Sequence, residues 1–228
     1  MSGSQDVSPV NPLPPVVVAL ALVFIAVELV FQAGAKGYIG GPEAVGWRLE
    51  AVREYGFSGV VFDWMLETGR YPVEHLKRFV TYPFVHISFT GTIMAIVFLL
   101  ALGKMVGEIF GPIGFLTIFF LSAIVGALAH GLLLDEVFPL IGGFPAVYGL
   151  IGSYTFLLWF SLSGKGNTQF KAFSLIAILM GLQLVFGLLF GSNKSWVADI
   201  FGFATGFFVS FLLVPGALGR VLERLRRR

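Results

Sequence analysis

Few side chains in this sequence can do chemistry, and most of them sit inside apolar runs. The chain has three histidines, His75, His86 and His130, and no cysteine. That excludes a thiol nucleophile, a disulfide framework and a Cys-based zinc or iron–sulfur site. A serine nucleophile needs a base within hydrogen-bond reach. Ser88, Ser122, Ser153, Ser161 and Ser163 are available, but serine in a membrane helix ordinarily bonds a carbonyl one turn back or packs against a neighbour. An aspartyl mechanism needs two close carboxylates in water. Asp199 has only Glu28 as a possible intramembrane partner, and nothing in the pattern brings the two together. His130, in GALAHGLLL, has no Cys or His at ligand spacing, so an interhelical hydrogen bond is expected there rather than a metal. The pattern implies no metal and no cofactor.

The elements that must carry these residues follow from composition. Of the 228 residues 57% are hydrophobic and 12% charged, with a mean hydropathy of +0.88, which marks an all-α integral membrane protein. Six apolar segments approach the length of about 20 residues that a bilayer core requires: Pro15 to Ala35, Thr81 to Leu102, Gly114 to Leu134, Pro145 to Phe160, Phe170 to Phe190 and Trp196 to Val214. The first is expected to stay in the mature chain, because MSGSQDVSPVNPLPP has no basic region and Glu28 interrupts the apolar core. The sequence divides into a disordered cytoplasmic stretch 1–14, a six-helix domain 15–216 and a basic cytoplasmic tail 217–228. Within the domain, 36–80 forms a long first loop on the outer side, whose aromatics interleaved with charges suggest interfacial helices.

Lys104, Lys165, Lys171 and the ERLRRR tail fall on one side of this topology, and Asp135, Glu136 and Lys194 on the other. Both termini are therefore expected in the cytoplasm. The net charge of +2 is small and held mostly by the tail, which suits a lipid surface and argues against nucleic acid.

The stretch IGGFPAVYGL (Ile141 to Leu150) opens the fourth span. Proline near a helix start gives up an N–H that has no intrahelical partner, so Gly-Gly-Phe-Pro is a serviceable start. With RFVTYPFVHISFTG (Arg78 to Gly91), LGKMVGEIFG (Leu102 to Gly111), IGGFPAVYGLIGSY (Ile141 to Tyr154) and VADIFGFATGF (Val197 to Phe207) in that order, the chain resembles the rhomboid intramembrane serine proteases. The resemblance implies a six-helix bundle with a long first loop, and a Ser–His dyad that cuts transmembrane substrates. It also implies that Leu102 to Gly111 forms the turn after the second span.

Aligned on the family's G-x-S-G motif through Gly142, Ala146, Tyr148 and Gly149, Phe144 stands at the serine position and Pro145 at the following glycine. Aligned on its A-H-x-x-G-x-x-x-G motif through Ala198, Gly202 and Gly206, Asp199 stands at the histidine. His86 matches the first span-two histidine, while Gly91 and Ala95 occupy the positions of the oxyanion pair. None of Phe, Gly or Ala supplies a nucleophile or a side-chain donor, and Pro145 has no N–H to offer. The resemblance therefore points to a pseudoprotease.

An intramembrane Asp199 must face the bundle interior or a wet cavity. It serves either as a client-binding or proton-carrying carboxylate, or as a protonated group bonded to Tyr148, His130 or backbone. Gly202 and Gly206 form G-x-x-x-G and are expected to draw span six against span four. Three functions are weighed: recognition of transmembrane helices of client proteins, an accessory or assembly subunit of a larger membrane complex, and an active serine endopeptidase, which the missing residues disfavour. The partners expected are a transmembrane client or complex and the lipid bilayer, in a bacterial inner membrane.

Overall fold

The computed structural model describes residues 12–162, 171–174, 176–178 and 194–214. The chain enters at α1 (Pro15–Ala35), whose 21 residues span about 31 Å at 1.5 Å each. Pro15 occupies the helix start, where a missing N–H costs nothing. Residues 36–80 are largely helical. They form a 3-10 turn (Pro42–Gly46), α2 (Trp47–Tyr55), α3 (Gly59–Thr68), α4 (Val73–Leu76) and α5 (Arg78–Thr81). Ser58 caps α3 by accepting from the Val61 N–H at 3.4 Å, and Gly69 ends it in the left-handed conformation at φ 64°.

Apolar burial holds this segment against the bundle: Phe57, Phe62, Met65 and Phe79 are all buried, and the rings of the first two meet that of Phe79 at centroid distances of 4.8 and 5.9 Å, the first tilted and the second edge-on. Trp64 and Tyr71 in the same segment remain exposed. Phe57 also pairs with Leu140 in an antiparallel bridge that ties residues 36–80 to the stretch before Phe144. On the outer surface Lys77 donates to Glu54 at 3.0 Å and covers the Tyr55 ring, and this hydrogen bond holds the Glu54 carboxyl below its ordinary range.

The 45-residue α6 (Phe89–Leu133) holds two membrane-length arms. They meet at Gly111, whose φ of 69° and ψ of −178° break the helix where a residue without Cβ can do so freely, and Pro112 starts the second arm. Gly103 brings the arms together, because a Cβ there would stand 3.2 Å from Phe115 and 2.8 Å from Val17 of α1. Two expectations change. The second helix begins at Phe89 rather than Thr81, because Pro83 interrupts and residues 82–84 form a 3-10 turn. The stretch Leu102 to Gly111 is helical up to its last residue, so the turn is only Gly111 and Pro112.

The last described helices are α7 (Phe144–Ser161) and α8 (Trp196–Leu213), each within a residue of the expected bounds at either end. Four helices are long and apolar enough to cross a membrane among the described residues: α1, α6, α7 and α8. Most of the expected fifth span, Phe170 to Phe190, lies outside the described residues, as do most of the first stretch and the basic tail. Fully buried Phe24, Phe115, Phe119, Phe156 and Leu150 fill the interior, while Leu22, Leu29, Ile113 and Leu212 face outward.

Candidate functional site

The start of α7 is built by backbone geometry that the sequence makes possible. Gly142 takes φ 89°, which a residue with a Cβ would resist, and its N–H donates to the Tyr82 carbonyl at 3.0 Å. The next N–H, of Gly143, donates to His86 Nε2 at 3.1 Å. Phe144 then opens the helix with Pro145 behind it. His86 is buried and its Nε2 lone pair is committed to this bond.

A cavity of about 550 Å³ opens at this point. Its wall gathers His86, Gly91, His130, Phe144, Pro145, Tyr148 and Asp199 from the stretch before α6, from both arms of α6, and from α7 and α8. Asp199 lies in the first turn of α8 and is buried, as are Tyr148 and His130. Ala95 is not part of this wall and packs, fully buried, in the hydrophobic core. Glu136 and Lys194 meet at the rim in an ion pair of 3.0 Å.

Gly202 and Gly206 lie behind the cavity, where α8 seats on α7. A Cβ on Gly202 would fall on the Pro145 carbonyl, and one on Gly206 on the Gly149 carbonyl. From the other side, a Cβ on Gly152 would fall on the Phe203 carbonyl. Backbone therefore meets backbone on both helices, the contact that small residues permit in a bilayer. Farther along the same interface Ser153 and Ser210 pair through their hydroxyls at 2.7 Å.

The serines weighed as nucleophiles are otherwise occupied or isolated. Ser88 caps α6 by accepting from the Gly91 N–H at 3.2 Å, Ser161 donates to the Leu158 carbonyl, and Ser122 is buried with no hydrogen-bond partner among the described residues. Ser163 lies outside the described residues.

Sequence reasoning gave Glu28 little weight, and the structure places it in a hydrogen-bonded cluster. Its carboxylate meets Arg48 of α2 at 2.6 and 3.0 Å and accepts from Thr92 at 2.7 Å and Gln32 at 2.8 Å. The signal was present: a carboxylate in a span requires a partner, and the first loop holds the cations that can reach it.

A bundle of long apolar helices, packed by glycine and opening into a cavity near the helix ends, defines an integral membrane protein of the polytopic α-helical class. The rhomboid domain model matches residues 73–216, and the chain belongs to the rhomboid family. A search of curated proteins returned no match.

Proposed function

We propose that this rhomboid is a catalytically inactive member that binds transmembrane helices of client proteins and regulates their assembly, turnover or trafficking. One observation carries the loss of catalysis: the cavity wall that resembles the family's active site is made here by Phe144, Pro145 and Asp199. A phenyl ring cannot attack a carbonyl, and a proline nitrogen cannot donate to an oxyanion. Gly91 offers no side-chain donor from the first arm of α6, and His86 already accepts from Gly143.

The client reading rests on what survives. The close seat of α8 on α7 through Gly202 and Gly206 keeps the scaffold, and broad apolar faces stay open to lipid or to another helix. The protein then sits in a bacterial inner membrane with six spans and both termini in the cytoplasm. Affinity purification in mild detergent tests this: several substoichiometric single-span proteins are expected. A single stoichiometric complex would instead identify an accessory subunit and overturn the client reading.

A further inference from the structure

We propose that the cavity beside Phe144 is a binding site for a single-chain amphiphile with an uncharged, hydroxyl-bearing head, of the monoacylglycerol kind. This goes beyond client recognition and does not depend on it. Size decides first. A helix about 10 Å across with a pitch of 5.4 Å occupies roughly 400 Å³ per turn, so 550 Å³ holds little more than one turn of a transmembrane segment. The volume falls instead within the roughly 300–1,000 Å³ range of small-molecule sites.

Polarity then orders the occupant. At the helix ends the wall presents His130, Asp199 and Ser88, with the Glu136–Lys194 pair at the rim. Farther into the bundle it presents Met94 and Phe98, in the second and third turns of α6, and Val147 and Ile151 of α7. At 1.5 Å per residue, Phe98 lies about 15 Å beyond Ser88 along the axis. The cavity is thus polar at its mouth and hydrocarbon-like in depth, which matches a head and one chain.

His130 selects the head. The residue is 3% exposed, and neither ring nitrogen has a hydrogen-bond partner among the described residues. A neutral imidazole offers one donor and one acceptor. A hydroxyl, which both donates and accepts, answers both. The rim ions already neutralise each other, so no excess charge there compensates the desolvation of an ionic head.

The test uses the full-length protein in lipid nanodiscs with monomyristoylglycerol carrying a diazirine at the chain end, followed by irradiation and peptide mapping. Crosslinks are expected on Met94, Phe98, Val147 or Ile151, competed by unlabelled monomyristoylglycerol and at least fivefold less by myristate or tetradecylamine. His130→Phe should reduce labelling at least fivefold. Met94→Trp, at a residue that is 44% exposed, should block the chain and keep the protein folded. Labelling spread evenly over outward-facing Leu22, Leu29 and Leu212 would overturn the site. Equal competition by myristate or tetradecylamine would overturn the uncharged head, and wild-type labelling in both variants would overturn the proposal as a whole.

Discussion

Arg48 grips Glu28 with both guanidinium nitrogens, Nη2 to Oε1 at 2.6 Å and Nη1 to Oε2 at 3.0 Å, while Nη1 also donates to the His86 carbonyl at 2.8 Å. The same guanidinium lies 5.0 Å over the Phe31 ring. One side chain of the first loop therefore joins α1 to the stretch that holds His86, and His86 in turn receives the Gly143 N–H at the start of α7. Two planar hydrogen bonds of this kind require arginine and are not reproduced by lysine.

Removing one partner of this pair should be costly, because Glu28 is 5% exposed. Arg48→Ala is expected to destabilise the protein by about 3–5 kcal/mol in reversible denaturation from mixed micelles, since it strands a buried carboxylate. The double change Arg48→Met with Glu28→Leu should cost clearly less than Arg48→Ala alone. A loss below about 1 kcal/mol for Arg48→Ala would show that the pair is not structural.

Glycines of the same bundle should differ sharply in what they tolerate. Gly206→Ala drives a methyl onto the Gly149 carbonyl, and backbone on both sides cannot give way. A loss above about 3 kcal/mol, or failure to fold, is expected. At Gly91 the nearest atoms to an added Cβ are Ser88 Oγ at 3.3 Å and His86 Cδ2 at 3.8 Å, so Gly91→Ala should stay within about 1 kcal/mol. Thermal melts in detergent compare the two directly.

Asp199 separates a structural from a functional carboxylate. Asp199→Asn keeps the hydrogen-bonding shape and should change stability by no more than about 1 kcal/mol, whereas Asp199→Leu should cost roughly 1–3 kcal/mol by leaving buried partners unsatisfied. Both variants should still capture clients. A well-folded Asn variant that loses every partner would make the charge functional.

How much of this was legible in the sequence depends on which force sets each feature. Helix bounds for α1, α7 and α8 follow from apolar length, with proline at the start of the first two, and they were readable to within a residue. The beginning of α6 was not, because Thr81 to Ser88 is apolar enough to read as membrane although Pro83 interrupts it. The packing of the first loop was not legible either, for a different reason. Phe57 and Phe62 carry the same composition signal as Trp64, and only tertiary packing decides that the first two are buried and the third is not. Gly202 and Gly206 announced a close contact by spacing alone, but the partner carbonyls of Pro145 and Gly149 needed coordinates. The meeting of Arg48 with Glu28, 20 residues apart, needed the turn of the chain after α1.

Restoring chemistry asks whether the scaffold alone suffices. Phe144→Ser, Pro145→Gly, Asp199→His, Gly91→His and Ala95→Asn introduced together are expected to give detectable cleavage of a model transmembrane substrate, where each single change gives none, since a dyad acts as a unit.

The most direct measurement is labelling of the wild-type protein, purified in mild detergent, with a fluorophosphonate that traps activated serines. With Phe144 and Pro145 at the head of α7 and Asp199 across the cavity, labelling no greater than that of a heat-denatured control is expected. Heat-sensitive labelling approaching one probe per chain, mapped to a single serine, would contradict the loss of catalysis.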